Sequence, residues 1–213
     1  MTRRALLAVA ALLVAATVAS VAALGGSAAS GRQTGNVTVL KDLWLELVGQ
    51  FQNSPPGVTP VTHTHYGYFS YIRGVPTFRA EPQNEATALF TFFADGTTSP
   101  VITNGPFRTL TRVGTITVYR DPATNGDFAK PDSFRDGTLV LVARYRQHVI
   151  VNTLTNAVTA YHQDTITMTK PFDTRRGKVQ LGVVGERFDE YYNGQVNMPG
   201  PPSGYFVGYA ASR

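Results

Sequence analysis

From Pro60 to the C-terminus the chain is a succession of short runs in which apolar and polar residues alternate, broken by Gly, Pro, Asn and Asp. "HTHYGYFSYI", "RTLTRVGTITVYR" and "GTLVLVARYRQHVIVN" show the pattern most plainly. A period of two puts every second side chain on one face, as in a strand with one side buried. Leu110, Gly114, Ile116 and Val118 share a face of the second run. Leu139, Leu141, Ala143, Tyr145, Gln147, Val149 and Val151 share a face of the third. "NEATALFTFFADG", "TTSPVITNGPF", "AVTAYHQDTITMT", "KVQLGVVGERFDEYYNG" and "GYFVGYAASR" bring the count to about eight strands with short connections. Asn104-Gly105 is a hairpin turn signal. A meander of this kind loses its unpaired edges by closing on itself. The expected fold is all-β, a single antiparallel β-barrel of about eight strands, with a β-sandwich as the alternative. The aromatic segment Tyr205 to Tyr209 supplies the closing strand.

The segment before Pro60 reads differently. Arg3 and Arg4 precede an almost wholly apolar run from Ala5 to Leu24, and small residues follow. That order describes a secretory signal cleaved after Ser27-Ala28-Ala29, so residues 1–29 are expected to be removed and the mature chain to begin near Ser30. An uncleaved anchor is the alternative, since the run is long enough to cross a bilayer. In residues 30–60, Leu40, Leu43, Trp44, Leu47, Val48 and Phe51 recur at i, i+3, i+4, i+7, i+8 and i+11. This spacing predicts one amphipathic helix over 39–52, capped by Thr38, with Trp44 and Phe51 packed on the sheet. The barrel domain is then 61–213.

Charge and cysteine content exclude several functions. Of 19 Lys and Arg residues, two lie in the signal; the remaining 17 stand against 14 Asp and Glu, a net charge of +3. These are scattered rather than gathered in a stripe, which argues against a nucleic-acid partner. The chain has no Cys, so disulfides, thiolate metal sites and a cysteine nucleophile are ruled out. No P-loop, G-x-G-x-x-G or G-x-S-x-G motif is present. The long loop Asp121 to Gly137 is rich in Asp and Asn but lacks the spacing of a calcium loop. Its length marks it as a candidate lid.

Candidate site residues follow from strand register. With Thr153 to Asn156 as a four-residue turn, Asn152 pairs with Ala157 and Val151 with Val158. The apolar face then continues across the hairpin onto Val158, Ala160, Ile166 and Met168. A one-residue slip would break it. This register places Gln147 opposite His162 and Tyr145 opposite Asp164, all four pointing inward, with His148 and Arg146 outward. Tyr145, Gln147, His162 and Asp164 are the candidate ligand-binding residues: convergent polar groups on an apolar wall. Alternatively they form a buried network that satisfies itself.

His63 and His65 share a strand face with Gly67, Phe69 and Tyr71. Gly57 and the His63-x-His65 pair match the opening of a cupin metal motif, but Tyr68, Phe69 and Ser70 stand where its Glu belongs. Two imidazoles without a third ligand make a poor metal site. No metal or cofactor is therefore expected, and His63 and His65 are the fallback candidates.

In layout the chain resembles small exported barrels, lipocalin-like or of the allene oxide cyclase and dirigent kind. The resemblance is architectural and carries over no site residue. The expectation is a secreted barrel that binds a small apolar or aromatic molecule in its cavity, with no stable membrane insertion after cleavage. The alternatives are a cofactor-free isomerase or cyclase using the same cavity, and a cell-envelope protein using its aromatic surface for partner contact.

Overall fold

The computed structural model describes residues 32–34, 37–197 and 203–213. The expected signal peptide and its cleavage site lie outside them. Two short strands open the described chain, β1 (Arg32–Thr34) and β2 (Val37–Leu40). The strands β3 (Trp44–Asn53), β4 (Thr62–Ile72), β5 (Phe90–Thr98), β6 (Ile102–Asn104), β7 (Phe107–Arg120), β8 (Thr138–Asn152) and β9 (Ala157–Thr169) follow. Then come β10 (Phe172–Thr174), β11 (Gly177–Leu181), β12 (Arg187–Val196) and β13 (Ser203–Ser212).

Eight of these form a closed antiparallel barrel. Pairing runs β5-β4-β3-β13-β12-β9-β8-β7, and β7 returns to β5. Every barrel strand has a neighbour on both sides, so no edge is left open. The last strand closes on the first barrel strand, with Tyr205 opposite Gln50 and Tyr209 opposite Glu46. β6 extends the β7 edge through the Asn104-Gly105 turn. A second sheet, β1-β2-β11-β10, sits at the end where β9 leaves and β12 begins. Its Leu40, Phe172, Val179 and Leu181 join the main apolar core, which closes that end.

The helix expected over 39–52 is a correction. Those residues form β2 and β3, and the barrel begins at Trp44 rather than at Val61. Leu45, Leu47, Gly49 and Phe51 face inward, whereas Trp44, Glu46, Val48 and Gln50 face out. Leu47 and Phe51 fit both a helical and a strand period, which made the stripe ambiguous. Two forces favour the strand. Gly49 weakens a helix by about 1 kcal/mol relative to Ala. Without β3, both β4 and β13 would also lack a hydrogen-bonding neighbour. Trp44 consequently lies on the outer wall, stacked on Tyr209 with ring centroids 5.3 Å apart.

Two smaller corrections share a cause in local geometry. A bulge opposite Glu46 and Leu47 inserts Ser70, so Tyr71 turns outward and Ile72 turns in. The long loop from Asp121 to Gly137 is no lid. It drives Phe134 and Phe128 against Tyr66, Tyr68 and Phe93 on the outside of β4 and β5. Its acidic residues shape the loop itself. Asp121 accepts from the Ala123 amide at 2.9 Å, Asp127 from the Ala129 amide at 2.9 Å, and Asp136 from the Asn125 side chain at 2.9 Å.

Candidate functional site

The β8–β9 hairpin has the register that the apolar pattern demands as far as Ile166. A bulge between Val142 and Ala143 then turns Met168, expected on the inner face, outward into an exposed position. Asn152 pairs with Ala157, Val151 with Val158, Gln147 with His162, and Tyr145 with Asp164. Tyr145, Gln147, His162 and Asp164 are all buried inside, while His148 and Arg146 are exposed. The neighbouring strands extend this row. Arg112 on β7 pairs with Gln147, and Glu190 on β12 pairs with His162. Arg112, Gln147, His162 and Glu190 are therefore lateral neighbours on four adjacent strands, forming a polar belt around part of the barrel interior. His63 and His65 approach it from β4.

Hydrogen bonds join these groups. Arg112 Nη1 donates to His65 Nε2 at 3.0 Å and to Gln147 Oε1 at 3.4 Å, and Nη2 donates to Asn53 Oδ1 at 2.7 Å. The Gln147 amide in turn donates to His162 Nε2. His162 Nδ1 faces Glu190 Oε2 at 3.3 Å and Asp164 Oδ2 at 3.9 Å. The Tyr192 hydroxyl donates to Glu190. On the β4 side, His63 Nε2 lies 2.5 Å from the Tyr145 hydroxyl and His63 Nδ1 lies 3.2 Å from the Thr98 hydroxyl.

Burial sets the charge state of each member. It holds His63 down to about 3 and His65 and His162 well below the ordinary imidazole range, with the Arg112 charge adding to the effect. All three imidazoles are thus neutral at physiological pH. Burial also raises Glu190 to about 7. Asp164 is raised well above the carboxylate range, by burial first and then by the neighbouring Glu190 and Asp189. Neither Asp164 oxygen has a hydrogen-bond partner among the described residues. An unpaired buried carboxylate is costly, so Asp164 carries its proton. Arg112 drops only to about 10, again through burial, and remains a cation.

His162, Asp164 and Glu190 bring one ligand atom each within 4.8 Å of one another, a donor set of a kind that holds divalent cations. The hydrogen bonds argue for a different occupant. Arg112 orients the Gln147 amide, and that amide donates to His162 Nε2. The single proton of the neutral ring is therefore on Nδ1, the atom facing the two carboxyls. A cation bound by the trio would have to displace that Nδ1 proton and the carboxyl protons. His63 and His65 are no better as metal ligands, because the Tyr145 hydroxyl and the Arg112 guanidinium occupy their Nε2 atoms.

Above the belt, toward the end of the barrel where the β8–β9 hairpin turns, lies a cavity of about 320 Å³. Its walls are apolar: Leu110, Val149, Val151, Val158, Ala160 and Phe206 among them. Its floor is Arg112, Gln147, His65 and Tyr192, and Arg108 stands on its lining as well. Of the four residues expected from sequence, only Gln147 reaches the cavity. Tyr145, His162 and Asp164 lie beneath the floor. Arg112, Glu190 and Tyr192 were missed, although "LTRVG" and "FDEYY" put them on the inward faces of their strands. Comparison with family models, with curated proteins and with solved structures finds no match for this chain.

Proposed function

We propose that the chain is an exported β-barrel protein that binds a small apolar or aromatic molecule in the cavity above the polar belt. The observation that carries this is the cavity itself. It is a concave, mostly apolar space at a barrel mouth with a few convergent polar groups, which is the usual anatomy of a ligand pocket. At about 320 Å³ it falls at the small end of the range of such pockets, roughly 300–1,000 Å³. Export rests on the Arg3-Arg4 and Ala5–Leu24 pattern. Among the described residues no helix is long and apolar enough to cross a membrane. No cofactor or nucleic-acid partner forms part of the proposal.

A neutral fluorescent probe, N-phenyl-1-naphthylamine, tests it. Saturable 1:1 binding that is lost in Ala160→Trp, which fills the cavity, is the expected result. Non-saturable binding, or binding unchanged in that variant, counts against it. One observation favours a second reading, a cofactor-free isomerase in the same cavity. Tyr192 lines the cavity and donates to Glu190, a carboxyl raised to about 7, and such a pair can shuttle a proton. Turnover of a bound carbonyl compound that vanishes in Tyr192→Phe while binding persists would distinguish it.

A further inference from the structure

The chemistry of the cavity floor narrows the ligand. Arg112 is about 95 % buried and lines the cavity. A buried guanidinium is ordinarily matched by a carboxylate, because a desolvated charge without a counter-charge is strongly unfavourable. Arg112 has no such partner among the described residues. Its contacts are an amide oxygen of Asn53, an amide oxygen of Gln147 and a neutral imidazole of His65. Its Nε is buried with no partner among the described residues. Among the described residues no Asp or Glu lines the cavity, whereas Arg108 adds a second positive charge there. The buried acids of the barrel interior, Asp164 and Glu190, lie beyond Gln147 and His162 and do not line the cavity.

We propose that the cavity is a site for an amphiphilic monoanion, a small carboxylic acid with an apolar body. Its carboxylate sits on Arg112 and its body lies against Val149, Val151, Val158 and Ala160. The inference rests on the cavity being a ligand site and adds the head group. The guanidinium presents planar donors suited to a carboxylate. The floor thus supplies one strong directional contact and the walls supply area. The same arrangement excludes cations, which would meet Arg108 and then Arg112 with nothing negative to receive them.

Decanoate, 1-decanol and decyltrimethylammonium share one apolar body and differ in the head group. Titrated calorimetrically into the wild-type protein, decanoate should bind at least tenfold more tightly than decanol, and the ammonium should not bind. Arg112→Met should bring decanoate down to the level of decanol, and Arg112→Lys should restore part of the difference. Equal binding of decanoate and decanol overturns the head-group inference while leaving the cavity as a ligand site. So does binding of N-phenyl-1-naphthylamine without decanoate. Failure of all of these probes to bind overturns the cavity reading itself. The head-group comparison uses unaltered protein, so it stands even where Arg112→Met does not fold.

Discussion

Gln147 and His162 face each other across the β8–β9 hairpin, and the Gln147 amide donates to His162 Nε2. Arg112 holds the amide in that orientation through its bond to the Gln147 carbonyl oxygen. The imidazole must then be the neutral Nδ1–H tautomer. Nitrogen-15 NMR of ring-labelled protein should show that tautomer unchanged between pH 5 and 8, because burial keeps His162 far below the ordinary range. An imidazolium signal at pH 6 would contradict the arrangement. Gln147→Leu should cost about 1–3 kcal/mol in chemical denaturation, since it strands polar groups on both His162 and Arg112.

The belt also dictates how stability varies with pH. His63, His65 and His162 have lowered pKa values in the fold. Below about pH 6.5 the unfolded chain takes up three protons that the folded chain refuses, so acid destabilises. Glu190, raised to about 7, and Asp164 have the opposite sign. Above about pH 4.5 the folded chain retains protons that the unfolded chain has released, so stability falls as pH rises toward 7 and beyond. Three histidines outweigh two carboxyls on the acid side, and the carboxyls act alone above the histidine range. The melting temperature should therefore peak near pH 6 and decline in both directions, and Glu190→Gln should flatten the alkaline limb. A melting temperature that climbs steadily to pH 8 in calorimetry would show that the carboxyls are not held protonated.

On β3, strand geometry separates Trp44 from Leu47. Leu47 is buried in the barrel at 2 % exposure, and Trp44 stacks on Tyr209 outside. Leu47→Ala should cost about 2–5 kcal/mol, as for a core cavity. Trp44→Ala should cost only about 1 kcal/mol, the order of one aromatic pair. The reverse ranking in urea melts would restore the helical reading of this segment.

These contrasts show where local pattern suffices. The β8–β9 register was legible because a four-residue turn ties two long strands, and an apolar face can continue across it in only one way. Arg112 lay on the same inward face as Leu110 and Gly114, but a lone Arg between apolar residues offers no sign of what it meets across the barrel. Glu190 was harder still. Its partner strand β9 is separated from β12 by the β10–β11 insertion, so no short turn sets their register. For β3 the sequence admits two periods, and only the missing barrel neighbour decides between them. The cavity depends on how eight strands close, which no single segment encodes.

Gly96 and Gly114 face each other on β5 and β7 and together make room for the Tyr145 hydroxyl. A Cβ on Gly114 would stand 2.7 Å from that hydroxyl and 2.0 Å from the Asp95 carbonyl oxygen. Gly114→Ala must therefore displace backbone as well as side chain, and should destabilise the fold by more than Tyr145→Phe does. Tyr145→Phe removes the partner of His63 Nε2 and the hydroxyl's 3.3 Å bond to the Asp95 carbonyl oxygen, at a cost of about 1–3 kcal/mol. Combining the two relieves the contact with the hydroxyl but leaves the clash with Asp95, so the double variant should remain less stable than Tyr145→Phe alone. If thermal melts put the double variant level with Tyr145→Phe, the strands can part at this point. The close approach of β5 and β7 would then not be what shapes the Tyr145 slot.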